Sequence, residues 1–495
     1  MDPELQLDLQ ELTKILNKSN TSTRNRLLSI LKDSNYVQRL QSTGTIPSKI
    51  PVIPNERCGQ WYLPPSTYET TCYFKSTDGH INNWDISTRR LNLHLIPVIA
   101  SHGGIAIVDS TRRGKRMPDA LSKTVPIWCA VLNNIMDDGQ LNTTNDFSTD
   151  NTKNHIELND EDPSRWLFTP PGTVSPSENQ RISKKLPQLI KKMKDVNAVT
   201  SQWLNDQLQG KRLRPVWMYP GIGSSSAINF KEDILPVYLV TASEMCQDGA
   251  NKSNGYTYVQ GAADDHELWS NGLEPGLFWE NVKFFKDKTK TEDEVLSFID
   301  EIIMAEKLKK AKLADNDPNF QFWTDEVWIT DQIGIAKVER NTTIDASKLH
   351  LKYDLVVVLE ETFTLAELTA TDKNDDEEPS SNNLIHYKLS SGSKKSSKEL
   401  RTQLVPMIKL IEGQLYNSDS SKILICCNNS QDLSIGVLLC CLNLYYDESW
   451  VKLKQGSEVN ISKNVIRRHL VKVIEMHKCN PSRATLNSVN SFLMS

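Results

Sequence analysis

Three stretches in the first 270 residues carry side chains able to move protons or hold phosphate. In Phe74-Lys75-Ser76-Thr77-Asp78-Gly79-His80, a lysine, two hydroxyls and backbone N–H groups precede a glycine, a composition suited to phosphate. Asp78 and His80 stand two residues apart, where either can take a proton from a hydroxyl. Ser87-Thr88-Arg89-Arg90-Leu91-Asn92 follows and adds two guanidinium groups. A turn with a capping aspartate is the plainer reading of the first motif. In the second stretch, Gly103 to Asp119, the apolar run Ile105-Ala106-Ile107-Val108 delivers Asp109, Ser110 and Thr111 into a loop holding Arg112, Arg113, Lys115 and Arg116. Four cations so close repel one another unless they are solvated or face anions. The loop is therefore a solvated surface feature, an RNA-backbone contact or a site for donor phosphates. The third stretch, Tyr258 to Trp269, contains Asp264, Asp265, His266 and Glu267, which could hold magnesium or supply a base. Acids ahead of a helix also serve as N-terminal caps.

A fourth motif lies near the end. Lys422-Ile423-Leu424-Ile425-Cys426-Cys427 runs into Asn428-Asn429-Ser430-Gln431-Asp432-Leu433-Ser434, and an apolar helix follows at once. A strand, a tight polar loop and a helix N-terminus together aim backbone N–H groups at an anion. The arrangement resembles cysteine-dependent phosphatases of the dual-specificity type, whose loop reads Cys, five residues, Arg, then Ser or Thr. On that pattern Cys427 takes the nucleophile position and Ser434 the hydroxyl position, while Leu433 stands where arginine belongs. Without the guanidinium there is no bidentate clamp for a transferring phosphoryl group. Cys426 replaces the usual preceding histidine. The expectation is a phosphatase-like fold that holds phosphate on residues 427–434 without hydrolysing it. An ordinary strand–loop–helix with a buried cysteine pair is the other reading.

These motifs need elements to position them. Helical spacing of Leu12, Ile15 and Leu16, and again of Leu27, Leu28 and Leu31, predicts an opening helical stretch to about Gln41, broken at Asn20 and Thr21. A proline-rich extended passage follows, from Ile46 to Pro65. Strands are predicted at Ile105–Val108, Ile234–Thr241, Tyr256–Gln260, Leu355–Leu359 and Lys422–Cys427. Helices are predicted over 185–209, 297–313, 400–416, 435–446, from the Ser462 cap to about Met476, and over 485–493. Residues 142–162 and 372–383 are polar and acidic and read as surface insertions, and the Ser/Lys-rich segment from Ser390 reads as a loop.

At 495 residues, two or more domains are expected. The predicted fold is α/β, a large N-terminal α/β domain over 1–344 and a smaller α/β domain of dual-specificity-phosphatase type over 345–495. A net charge of −5 argues against indiscriminate coating of nucleic acid while leaving room for a local basic patch. Nine cysteines, an odd number with adjacent pairs, do not space like a disulfide framework or a zinc site, so a reduced, cytoplasmic protein is expected. No apolar run reaches the length of a membrane helix, and the acidic start does not resemble a signal peptide.

Read together, the passages STDGHINNWDISTRRLNLHL, GGIAIVDSTRRGKRMPDALSKTVPIWCAVLN, YVQGAADDHELW, CCNNSQDLSIGV and NPSRATLNSVNSFLM resemble the initiator-tRNA ribosylphosphate transferase family, in the family's order, from Lys75 to Met494. The resemblance implies transfer of 5-phosphoribose from phosphoribosyl pyrophosphate to the 2'-hydroxyl of a T-stem adenosine in initiator methionine tRNA, with magnesium accompanying the donor. It implies that the modified tRNA is excluded from elongation. On it, Lys75, Ser76, Thr77, Gly79, Arg89 and Arg90 are expected at donor phosphates, and Arg112, Arg113, Lys115 and Arg116 at donor or tRNA phosphates. Asp78, His80, Asp264 and His266 are the candidate catalytic groups. The loop Cys427, Asn428, Asn429, Ser430, Gln431, Asp432, Leu433, Ser434 is expected at a donor phosphate or the RNA backbone. The competing reading is a catalytically inactive phosphatase-like protein that binds phosphate or tRNA.

Overall fold

The computed structural model describes residues 20–138, 163–221, 232–315, 323–338, 343–344, 352–365 and 384–494, less short gaps at 247–248, 254, 363, 392–393 and 478. The predicted helical residues 12–16 and the acidic insertions at 142–162 and 372–383 lie outside the described residues. The chain forms two compact units, Met1–Lys309 and Lys310–Ser495.

The first unit is built on a four-stranded parallel sheet in the order β1-β2-β4-β3, where β1 is Val52–Pro54, β2 Ile105–Asp109, β3 Arg212–Met218 and β4 Ile234–Thr241. Every residue of β2 is buried, and so is nearly all of β4. These are the near-continuous apolar runs that a parallel strand covered on both faces requires. β3 was not foreseen because Pro215 interrupts it; a proline is tolerated here because β3 is an edge strand.

Around the sheet lie α1 (Thr23–Ser42), α2 (Leu95–His102), α3 (Val125–Asp138), α4 (Pro176–Val196) and α5 (Ser201–Leu208). A π-helical turn, Ala120–Thr124, leads into α3. The single helix expected over 185–209 is two: Asn197 enters the left-handed region at φ 54°, and the Thr200 hydroxyl caps α5 by accepting from Trp203 N. An antiparallel hairpin, β5 (Ala250–Ser253) with β6 (Tyr256–Val259), is followed by the short α6 (Pro275–Glu280) and α7 (Val282–Phe285) and by α8 (Glu292–Asp315).

The second unit holds a five-stranded sheet in the order β12-β10-β13-β8-β7. Its strands are β7 (Trp323–Trp328), β8 (Ile333–Val338), β10 (Leu355–Leu359), β12 (Leu384–Tyr387) and β13 (Ile423–Cys427), all parallel to their neighbours except β7. A two-residue pair joins β9 (Thr343–Ile344) to β11 (Thr364–Leu365). Because β8 lies beside β13, this unit begins well before residue 345; Gly334 and Lys337 break up the apolar run of β8 and hide it in the sequence. The helices are α9 (Lys394–Asn417), α10 (Leu433–Tyr445), α11 (Lys463–Met476) and α12 (Arg483–Leu493). The lysines and serines read as a loop before Leu400 form the opening turns of α9. α10 is apolar on all sides and buried almost throughout, as befits the helix at the centre of a core. No described helix is long and apolar enough to cross a membrane.

One core contact makes this unit sensitive to acid. Trp450 Nε1 donates to Nδ1 of His469 at 2.9 Å, and His469 is 2% exposed. Burial, reinforced by Lys472, pushes the imidazole from 6.5 down to about 4. The unfolded chain therefore takes up a proton near pH 6.5 that the folded chain refuses until about pH 4. Stability is lost as pH falls through that window, by up to about 3 kcal/mol. Urea unfolding at pH 7 and pH 5 is expected to show this loss, with a smaller difference in His469→Gln.

Candidate active site

Ligands of parallel α/β sheets bind beyond the carboxyl ends of the strands, and β2 ends there in Asp109. Its carboxylate is wholly buried and receives Asn55 Nδ2 at 2.9 Å, Ser110 N at 2.8 Å, Cys58 Sγ at 3.0 Å and Arg57 Nη2 at 3.0 Å. The remaining end of Arg57, Nη1, donates to Asp264 Oδ1 at 2.7 Å. Burial alone would lower the Arg57 pKa, but Asp109 and then Asp264 hold the guanidinium firmly protonated. Burial pushes the Asp264 carboxyl up, and Arg57 opposes the shift. Arg57 thus ties the second and third sequence motifs together, although no pattern in the sequence singles it out.

The same two motifs meet at the backbone. Gly261 has φ 63°, and a Cβ there would lie 2.5 Å from the carbonyl oxygen of Thr111, so only glycine allows this approach. Gln260 Nε2 donates to the carbonyls of Arg112 and Lys115 at 3.1 and 2.7 Å and fixes the path of the basic loop. Arg112 Nη1 donates to Asp265 Oδ2 at 2.6 Å, with Nε 3.6 Å from Asp264. The acidic run is not a cap, since the side chain of Asp265 makes no cap hydrogen bond to the short turn His266–Leu268. His266 lies against Trp61, their ring centroids 5.7 Å apart, in an aromatic cluster that includes Trp269 and Phe278.

The first motif joins the other end of the basic loop. Ser76–Gly79 is a 3₁₀ turn, and a Cβ on Gly79 would stand 2.5 Å from the Asp119 carbonyl oxygen. Thr124 Oγ1 donates to the Lys75 carbonyl at 3.0 Å. This packing sets His80 Nε2 3.5 Å from Asp119 Oδ2. Asp119 also accepts from Lys115 at 2.6 Å and Lys123 at 2.9 Å, and Lys123 reaches Glu178 at 3.1 Å. Burial by itself would raise the Asp119 pKa, but the two lysines bring it below the usual carboxylate range. His80, Lys115, Arg116, Asp119, Ser122 and Lys123 line a cavity of about 530 Å³. Asp119 and Lys123 were not singled out in the sequence, although Lys115, Asp119 and Lys123 follow one another at helical i,i+4 spacing.

Other expected residues stand elsewhere. Arg90 pairs with Glu56 at 3.5 Å and lies 4.4 Å over the Tyr73 ring, its side chain 10% exposed. Neither Arg89, Arg90, Lys75, Ser76, Thr77 nor Asp78 lines the cavity. The Asp78 carboxyl is half-buried and pushed up by burial, and the Ser76 hydroxyl is buried without a hydrogen-bond partner among the described residues. Arg116 lies 5.3 Å over the Tyr219 ring, and the side chain of Arg113 packs on Gly249.

In the second unit the loop after β13 is latched from within. Cys427 Sγ is buried, 3.1 Å from Ser434 Oγ, and donates to Asn429 Oδ1 at 3.2 Å. The same Asn429 oxygen accepts from Gln431 N at 3.0 Å, so a side-chain amide takes up a donor that a phosphate would need. Leu433 is buried in the core. The Asp432 carboxylate accepts from Ser482 N at 2.8 Å and Thr485 Oγ1 at 2.6 Å, and Asn480 N donates to the Gln431 carbonyl at 3.1 Å. The final passage, Asn480 to Thr485, is therefore the strap that holds the loop. Asp432→Ala is expected to lower stability by about 1–3 kcal/mol, with Asp432→Asn in between, as measured by denaturant unfolding. All nine cysteines are buried.

A parallel α/β unit with a cationic cavity at its strand ends, joined to a phosphatase-like unit without the phosphatase arginine, defines the class. Residues 16–304 match the Rit1 N-terminal domain and residues 383–493 the Rit1 DUSP-like domain, and the chain belongs to the Rit1 family. It is 41% identical over 519 residues to the tRNA A64-2'-O-ribosylphosphate transferase of Saccharomyces cerevisiae, covering 100% of this chain and 96% of that protein. An uncharacterized protein of Schizosaccharomyces pombe is 32% identical over 484 residues, with 95% and 94% of the two chains covered. The resemblance seen in the sequence and the phosphatase-like second unit both stand on these matches.

Proposed function

We propose that this enzyme is a pentosyltransferase that moves 5-phosphoribose from phosphoribosyl pyrophosphate to the 2'-hydroxyl of a T-stem adenosine of initiator methionine tRNA. The observation that carries the reading is identity with the yeast transferase along the whole chain. The cavity between His80 and the loop to Asp119 supports it, being of a size and charge suited to the donor.

In the reaction the anomeric C–O bond to pyrophosphate breaks, its electron pair leaves with the pyrophosphate, and the RNA 2'-oxygen bonds to the anomeric carbon. Lys115, Arg116 and Lys123 stabilise the charge that grows on the leaving group. His80 takes the hydroxyl proton, and the Asp119 carboxylate beside it favours the imidazolium that forms. Magnesium carried with the donor would supply neutralisation of the pyrophosphate charge. Asp119 and Glu178, both paired with Lys123, are the cavity carboxylates that would face it. The loop Cys427–Ser434 serves this reading as a structural latch rather than a donor site, because Asn429 occupies it and Asp432 adds negative charge. An odd number of cysteines, all buried, suits a reducing compartment such as the cytoplasm.

The test is incubation of the purified protein with initiator and elongator methionine tRNAs, magnesium and donor labelled in the ribose. Label on initiator tRNA alone is the expected result. Binding of both tRNAs without label on either would replace the transferase by an RNA-binding protein.

A further inference from the structure

The loop from Arg112 to Asp119 is a wall between two cavities. Lys115, Arg116 and Asp119 face the smaller one described above, while Arg112 and Arg113 line an open depression of about 1630 Å³ in the same unit. The lining of the larger space includes six cations, Arg24, Arg26, Arg112, Arg113, Lys288 and Lys290, against three acids, Asp264, Asp265 and Glu292. All three of those acids are already engaged, Asp265 with Arg112 at 2.6 Å. Asp264 binds Arg57, and Glu292 accepts from the backbone N–H groups of Thr23 and Arg24 at the start of α1, each at 2.9 Å. The Arg24 guanidinium is held by the carbonyls of Gly255, Lys288 and Lys290, a contact that fixes its position without cancelling its charge. Arg113 and Lys288 are exposed, and Leu268 stands at 86% exposure in the same lining.

We infer that this depression docks the sugar–phosphate backbone of an RNA duplex. The inference rests on the transferase reading for its purpose, since the acceptor hydroxyl must reach a donor held across the wall. A-form RNA offers its 2'-hydroxyls in a wide, shallow minor groove flanked by phosphates. A surface that holds those phosphates with Arg113, Lys288 and the fixed Arg24 presents a minor-groove hydroxyl to the loop that separates the two cavities. The exposed Leu268 gives the sugar edge an apolar contact. An open, polymer-sized groove beside a smaller, donor-sized pocket is the division of labour that a duplex acceptor and a small donor require.

The test measures binding of a fluorescein-labelled RNA duplex to the full chain by anisotropy across a salt series. Arg113→Glu combined with Lys288→Glu is expected to weaken binding about tenfold or more and to flatten the salt slope by roughly two. The milder Arg113→Met with Lys288→Met is expected to move in the same direction, and Arg113→Lys with Lys288→Arg to bind as the wild type does. Lys191→Glu, an exposed change on α4, is the control for diffuse attraction. Thermal melting of each variant separates lost contacts from lost folding. Wild-type binding by both the reversed and the neutral pair, an equal loss in Lys191→Glu, or no duplex binding by the wild type overturns the inference. Transfer is assayed separately: duplex binding that follows these expectations without ribose transfer leaves the docking surface standing and removes the transferase reading.

Discussion

Arg57→Met is expected to destabilise the first unit by about 3–5 kcal/mol and, with it, to abolish activity at temperatures where the wild type is stable. The magnitude follows from what is left behind. Asp109 is 0% exposed and Asp264 4%, and the methionine would leave both carboxylates without the cation they share. Removing one partner of a buried charge network costs more than the network itself contributes, because the survivors lose their compensation and stay out of water. Arg57→Lys keeps one charge but cannot span both carboxylates, so an intermediate loss is expected. Asp264→Asn combined with Arg57→Met is expected to recover part of the stability, since it removes one of the stranded charges. The sign with pH is also determined. Burial pushes Asp264 up even with Arg57 present. Without the cation the folded variant binds protons more readily than its unfolded chain, so its deficit shrinks as pH falls from 7 towards 5. Denaturant unfolding at the two pH values reads this directly. A loss below about 1 kcal/mol, the same at both, would show that the pair is solvated and that Arg57 is no keystone.

What could be read from the sequence was local. The run Ile105–Val108, the Ser462 cap and the strand into Cys427 declare themselves by residue type within a few positions, and the structure has a strand or a cap at each. The Leu433 substitution could also be judged in advance, because a guanidinium is either present or absent. What escaped was tertiary. Arg57 acts because β1 and β2 run side by side and the 258–269 stretch closes over them, and nothing in Asn55-Glu56-Arg57-Cys58 announces that convergence. Arg90 shows the converse: a cation in a suggestive motif spends itself on Glu56 and Tyr73. Lys115, Asp119 and Lys123 occupy the middle ground. Their spacing was visible, but the π turn that brings the Lys123 side chain to 7% exposure beside Glu178 was not.

His80→Gln is expected to lower kcat about 10²–10⁴-fold, the range for removal of a general base, while leaving tRNA affinity unchanged. Four groups were candidates for that role, and their surroundings separate them. Asp264 is committed to Arg57, so its substitution is expected to act first on melting. His266 lies against Trp61, and His266→Gln is expected to alter kcat less than threefold (roughly, as for a contact outside the reacting atoms). Asp78 does not line the donor-sized cavity. His80 does line it, with its side chain 53% exposed and Asp119 beside Nε2. Lys115→Met provides the contrast. On the proposed reading its ammonium meets the leaving group rather than the proton, so the change is expected to raise the donor KM about tenfold, the loss of one charge-assisted hydrogen bond, with a smaller change in kcat. Asp119→Asn touches both His80 and Lys115 and is expected to change both constants. Steady-state kinetics on the three variants, with the donor varied at saturating tRNA, distinguishes these patterns. If Asp78→Asn rather than His80→Gln gave the large loss in kcat, the proton would leave by the turn and not by the cavity. The donor site would then have to be moved towards Ser76, whose buried hydroxyl has no partner among the described residues.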